Sequence, residues 1–225
     1  MNWMKKHHIG FLLLVAGIMA IGAAGTASAD YVFGEPVNMG ERINTPYTDA
    51  SPSISQNGLE LYFFSTRPPS TGWNDYDLYM VKRASLDDDW GEPVRLPAPL
   101  NADGASDLCP FLTQDGLALY FESNRPGGYG GLDLLVARRA TLDSHWGEPV
   151  NVGRPVNSEY DEHHATIFND EREIYFSDCD LLRPGGYGMV DVYVSTRASK
   201  TDPWGEPQNL GPVINSADWD QAPTY

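Results

Sequence analysis

Short apolar runs alternate with turn residues along nearly the whole chain, and the alternation repeats. One run reads Leu59-Glu60-Leu61-Tyr62-Phe63-Phe64, and its counterparts are Leu117-Ala118-Leu119-Tyr120-Phe121 and Ile174-Tyr175-Phe176. Outside the first 29 residues no segment sustains a helical period, so the pattern predicts strands. A shorter strand precedes each run: Pro52-Ser53-Ile54-Ser55, Pro110-Phe111-Leu112-Thr113 and Ala165-Thr166-Ile167-Phe168. Asn57-Gly58 and Asp115-Gly116 separate the first two pairs. Both dipeptides favour hairpin turns because they accept positive φ. The third pair has Asp170-Glu171-Arg172 there instead, so its turn is expected to differ.

Each long run ends at Arg67-Pro68, Arg125-Pro126 or Arg183-Pro184, where proline cannot continue a ladder. A loop carrying Trp73, Tyr129 or Tyr187 follows. A third strand then begins at Asp77, Asp133 or Asp191. The fourth carries Trp90-Gly91-Glu92-Pro93, Trp146-Gly147-Glu148-Pro149 or Trp204-Gly205-Glu206-Pro207, with a variant at Phe33-Gly34-Glu35-Pro36. A motif recurring at 33, 90, 146 and 204 marks a repeat architecture.

Four strands per unit in a meander predict an all-β fold, a β-propeller of four-stranded antiparallel blades. Three complete blades are expected, at about 51–98, 109–155 and 165–213. An extra fourth-type strand over 31–39 precedes them, and 221–225 begins a further first strand. The expected ring is therefore incomplete or open: a fragment of a longer reading frame or an array completed by an oligomer.

The repeat resembles the TolB-like, WD-type propeller repeat of bacterial exported proteins. The residues that carry the likeness are the Asp-Gly turn, Leu119-Tyr120-Phe121, Arg125-Pro126-Gly127-Gly128, Asp133-Leu134 and Trp146-Gly147-Glu148-Pro149. The resemblance covers nearly all of 31–225 and implies a binding or scaffold module. The third blade departs from it, with Asp180-Leu181-Leu182 lengthening a loop and His163-His164 replacing small residues.

Composition narrows the function. With 15 basic and 31 acidic residues the net charge is −16, which disfavours nucleic acid as a partner. Lys5 and Lys6, the apolar run from Ile9 to Ala24 and Ala27-Ser28-Ala29 read as a cleaved signal peptide, residues 1–29, and a periplasmic or secreted location. The propeller domain is then 30–225, with no membrane span after cleavage. There is no Gly-X-Ser-X-Gly elbow, Walker loop or dinucleotide fingerprint, and no cofactor is expected.

Candidate chemistry divides into repeated and unrepeated residues. Arg67, Arg125 and Arg183, with Trp73, Tyr129 and Tyr187, share one loop face and are candidate ligand-binding residues. The recurring arginines also suit ion pairs with Asp49, Asp107 and Glu162. Trp90, Trp146, Trp204 and Phe33 are expected to fill the wedge between blades. A symmetric ring puts every repeated group in the same environment, so breaks in the repeat are the informative positions. Asp161, His163 and His164 are the candidate metal ligands, although adjacent strand residues point to opposite faces. Cys109 and Cys179 are a candidate disulfide. The expected function is a non-catalytic module that binds a protein, peptide or glycan. The alternative is a polysaccharide-acting hydrolase or lyase using the irregular third blade.

Overall fold

The computed structural model describes residues 34–71, 75–168, 170–179 and 183–223. The expected signal segment, Phe33 and Trp73 lie outside these residues. Among the described residues there is no helix, and the strands form three four-stranded antiparallel sheets. The first contains β1 (Asp49–Ile54), β2 (Glu60–Ser65), β3 (Asp77–Lys82) and β4 (Val94–Arg95). The second contains β5 (Asp107–Leu112), β6 (Ala118–Ser123), β7 (Asp133–Arg138) and β8 (Val150–Asn151). The third contains β9 (Asp161–Phe168), β10 (Glu173–Cys179), β11 (Val192–Thr196) and β12 (Gln208–Asn209). Each sheet pairs its strands in chain order, as a propeller blade does.

The first strand of each blade begins earlier than its apolar run suggests, at Asp49, Asp107 and Asp161. Backbone pairing reaches back because Asp107 N donates to Tyr76 O (2.8 Å), and Glu162 N donates to Leu132 O (3.0 Å). Each new blade is thereby hung on the one before it. Asp220 N repeats the bond to Val190 O at 3.0 Å, but 221–223 carry no assigned strand. Residues 34–39, the described part of a separate compact unit ending at Met39, likewise form no strand where one was expected over 31–39.

Two turns and one bulge shape the blades. Gly58 and Gly116 take φ of 72° and 69° at the Asn-Gly and Asp-Gly turns. The third turn differs, as expected, in having two left-handed non-glycine residues, Asp170 (φ 54°) and Glu171 (φ 62°). Glu171 stands where the others have glycine. Its carbonyl accepts from Arg197 Nε at 2.6 Å, as Gly58 and Gly116 accept from Arg83 and Arg139 at 2.7 Å. The bulge interrupts β1, β5 and β9 at corresponding places, between Ala50/Ser53, between Leu108/Phe111 and opposite Tyr175/Ser177. Ser51, Cys109 and His164 sit there with φ of 50°, 48° and 53°, and Ala222 adopts 56° at the matching point of the next repeat.

The core lies between blades. Tyr62, Phe64 and Leu78 of the first pack with Leu112, Leu119 and Phe121 of the second. Ala118, Tyr120 and Leu134 pack with Ile167, Ile174 and Phe176 of the third. The tryptophans close these seams. Trp146 meets Tyr62 of the preceding blade edge-on at 6.3 Å, and Trp204 is buried in the cluster that holds Tyr120. Arg83, Arg139 and Arg197 lie 4.5, 4.6 and 4.0 Å above the rings of Trp90, Trp146 and Trp204. Large aromatic surfaces removed from water, with a cation over each face, hold the wedge together.

Candidate functional site on the blade axis

The recurring loop-face arginines are internal fasteners. Arg125 Nε donates to Ser123 Oγ (2.9 Å), and its terminal nitrogens donate to the carbonyls of Pro99 and Leu100 and to Asp107 (2.7 Å). Arg67 repeats the pattern with Ser65, Arg42, Ile43 and Asp49. Arg183 spans Pro155, Val156, Glu162 (2.8 Å) and Asp178 (2.7 Å). Each guanidinium also lies over an aromatic ring of its own blade. With their donors used internally, these side chains are not presented to a ligand, which corrects the expectation for Arg67, Arg125 and Arg183. Tyr129 and Tyr187 remain exposed on that face, their amides held by Asp133 and Asp191. Arg154 stacks on Tyr129 at 5.0 Å.

Residues that break the repeat meet elsewhere, at the strand bulges. Register makes Ala50, Leu108 and His163 equivalent, opposite Phe64, Glu122 and Ser177 respectively. The second blade thus carries a carboxylate where the first has a phenyl ring. The third carries a histidine where the others have alanine and leucine. Glu122 is fully buried and spans the seam to the third blade. Its Oε2 faces His163 Nδ1 at 2.8 Å, and its Oε1 accepts the His164 amide at 2.6 Å. Cys109, on the bulge of the second blade, and His164, on that of the third, bring Sγ and a ring nitrogen close to the same carboxylate.

The bulge brings the His163 and His164 rings close, yet among the described residues only His164 joins a group that could hold one ion. With His164 at φ 53°, the two rings lie 5.9 Å apart and tilt by 33°. A bulge re-aims side chains in this way. Asp161 does not join them. Its Oδ1 accepts the Leu132 amide at 2.9 Å and serves the junction with the second blade. Glu122 was the residue that sequence reading missed. The signal was present in Leu-Tyr-Phe-Glu-Ser at 119–123, against Leu-Tyr-Phe-Phe-Ser at 61–65. Cys109 and Cys179 are both buried free thiols and form no disulfide. Cys109 Sγ is 3.4 Å from Ser51 Oγ, while the Cys179 thiol lies against His163.

The electrostatics follow from burial against pairing. Burial alone would strip the proton from His163, but the Glu122 charge outweighs it and holds the imidazole pKa up at about 11. Burial likewise works to raise Glu122, and the two histidines bring it below the usual carboxylate range. His164 is pushed down by burial and by the neighbouring His163 charge. Burial, then the Glu122 charge, drives the Cys109 thiol well up. The result is a buried ion pair beside a neutral histidine and a protonated thiol.

A funnel of about 350 Å³ opens beside this group, toward the turns between first and second strands. Pro52, Ile54, Pro110, Phe111 and Ala165 give it an apolar wall; Ser51, Cys109, His164 and Thr166 give it polar points. No carboxylate lines it among the described residues.

Neither a family model nor a curated protein matches the sequence. Solved structures match it as folds. An α-L-arabinofuranosidase from Lactobacillus brevis aligns with a TM-score of 0.51 at 18% identity, over 73% of this chain and 55% of its own. TolB from Acinetobacter baumannii aligns with 0.46 at 18% identity, over 72% of this chain and 32% of its own. A putative TolB from Agrobacterium tumefaciens gives 0.48 at 16%, over 77% and 51%. This chain spans between about a third and just over half of those chains. The likeness is one of fold, the β-propeller, and does not single out the WD-type repeat.

Proposed function

We propose that this chain is an exported, non-catalytic propeller module that binds a segment of a protein, peptide or glycan, and that the axial funnel takes it. The supporting observation is where the blades differ. Charged residues that repeat are spent on internal networks, whereas four that break the repeat, Cys109, Glu122, His163 and His164, gather beside one concavity. An apolar pocket with a few convergent polar groups and perturbed titratable neighbours is the usual form of a small binding site. Export rests on the composition of residues 1–29.

The alternative, polysaccharide hydrolysis at the third blade, asks more of the site. Glycoside hydrolysis ordinarily uses two carboxyl groups flanking the bond. Here Glu122 is sealed behind His163 and the His164 amide, and the funnel wall has no carboxylate. A screen of peptides and oligosaccharides that recovers each bound compound chemically unchanged supports the binding reading. Turnover that vanishes in His163→Ala or His164→Ala overturns it.

A further inference from the structure

We infer that Cys109, Glu122 and His164 form a binding site for a zinc-class divalent cation at the floor of the funnel. One ligand atom from each of the three residues lies within 4.8 Å of the others. They come from two blades: Cys109 and Glu122 from β5 and β6, His164 from β9. Thiolate, imidazole and carboxylate together suit a borderline-soft ion, whereas an all-oxygen set would suit calcium or magnesium.

A second observation points the same way. His164 Nδ1 is shut off from solvent and has no hydrogen-bond partner among the described residues. Buried ring nitrogens are ordinarily paired. A cation supplies the missing partner. The left-handed bulge recurs at Ser51 and Ala222, and only in the second and third blades does it carry metal-binding side chains, Cys109 and His164.

Zinc bonds sulfur at roughly 2.3 Å and nitrogen or oxygen at roughly 2.0 Å, so the donors close by about an ångström on loading. As the metal–sulfur bond forms, the Cys109 thiol proton leaves to solvent. Three protein ligands leave a fourth position, on the side where Cys109 and His164 line the funnel. His163 is a positioning residue. His163 Nδ1 lies 2.8 Å from Oε2 of Glu122, and outer partners of that kind orient a ligating carboxylate.

The test is titration of the reduced, chelator-stripped full chain with cobalt(II) alone, followed by zinc competition. Wild type takes up one equivalent with a thiolate-to-cobalt charge-transfer band. Cys109→Ser loses the band, His164→Ala weakens binding about tenfold or more, and Cys179→Ser keeps both. Circular dichroism confirms that each variant is folded. If Cys109→Ser does not fold, His164→Gln replaces it, and a zinc-dependent rise in the wild-type melting temperature that this variant lacks supports the site. Absence of the band in folded wild type, its survival in Cys109→Ser, or its loss only in Cys179→Ser overturns the inference. The readout needs no organic ligand, so the site stands or falls independently of the binding function proposed above.

Discussion

Glu122 of the second blade is held by His163 of the third, Oε2 to Nδ1 at 2.8 Å, in a pair with no counterpart at the matching positions of the other seam. At the matching positions the first blade has Phe64 and the second has Leu108. The pair couples the second and third blades through charge at a place where the first seam has apolar side chains; that seam carries its own ion pair elsewhere, Arg139 Nη2 to Glu60 Oε2 at 3.1 Å.

Removing one partner of a buried pair strands the other. Glu122→Gln, in the presence of chelator, is expected to lower unfolding free energy by about 3 kcal/mol. The double variant Glu122→Leu/His163→Leu recovers part of that loss, because nothing charged is left buried. Urea unfolding measures both. A Glu122→Gln variant as stable as wild type would show that the pair contributes nothing to the seam.

Glu171 holds a left-handed turn that glycine would adopt more easily. Its carboxylate accepts from Tyr120 Oη (2.7 Å) and from Arg138 Nη1 (2.9 Å), both in the preceding blade. Glu171→Gly relieves a backbone cost of about 1 kcal/mol but abolishes the clamp. The variant is therefore expected to be less stable than wild type by about 1–2 kcal/mol. A gain in melting temperature would show that the strain outweighs the clamp.

The same carboxylate sets a pH dependence. Burial works to raise the Glu171 pKa, and Arg138 and Tyr120 outweigh it and bring the value below the ordinary 4.5. The sign follows: its contribution is full above the unfolded value and is lost as pH falls through the folded one. Stability of wild type should fall more steeply than that of Glu171→Gln as pH drops below about 4.5. Parallel curves from thermal melts across that range would contradict the pairing.

Arg125 is expected to act as a fastener, so its geometry should matter beyond its charge. Arg125→Lys retains the cation but cannot reach Ser123, two carbonyls and Asp107 together. A loss of about 2 kcal/mol is expected, with circular dichroism unchanged at low temperature. A stability equal to wild type would restore Arg125 as a candidate for ligand contact.

The blades were legible because their signals are local. Asn57-Gly58, Asp115-Gly116 and the Trp-Gly-Glu-Pro motifs each mark one position in a meander, and repetition supplies the rest. The axial cluster was only half legible. His163-His164 stands out as a break, but strand alternation does not show that both meet one carboxylate, because nothing local announces a bulge. Glu122 lay inside an apolar run, 41 positions before His163 in the chain, and its role depends on contact across a seam. Asp161 was grouped with the histidines by adjacency alone, whereas its side chain serves the neighbouring blade.

The binding function proposed above sits where the repeat is broken, in the funnel and not on the loop face. The direct measurement is the affinity of one captured peptide or oligosaccharide for wild type, His164→Ala, Ile54→Glu and the double variant Tyr129→Ala/Tyr187→Ala. Ile54, Tyr129 and Tyr187 are exposed, so these changes alter surface with little effect on packing. About tenfold or greater loss is expected in the two funnel variants, near 1.4 kcal/mol or more, with wild-type affinity in the tyrosine variant. Loss confined to the tyrosine variant, with both funnel variants unchanged, would contradict it.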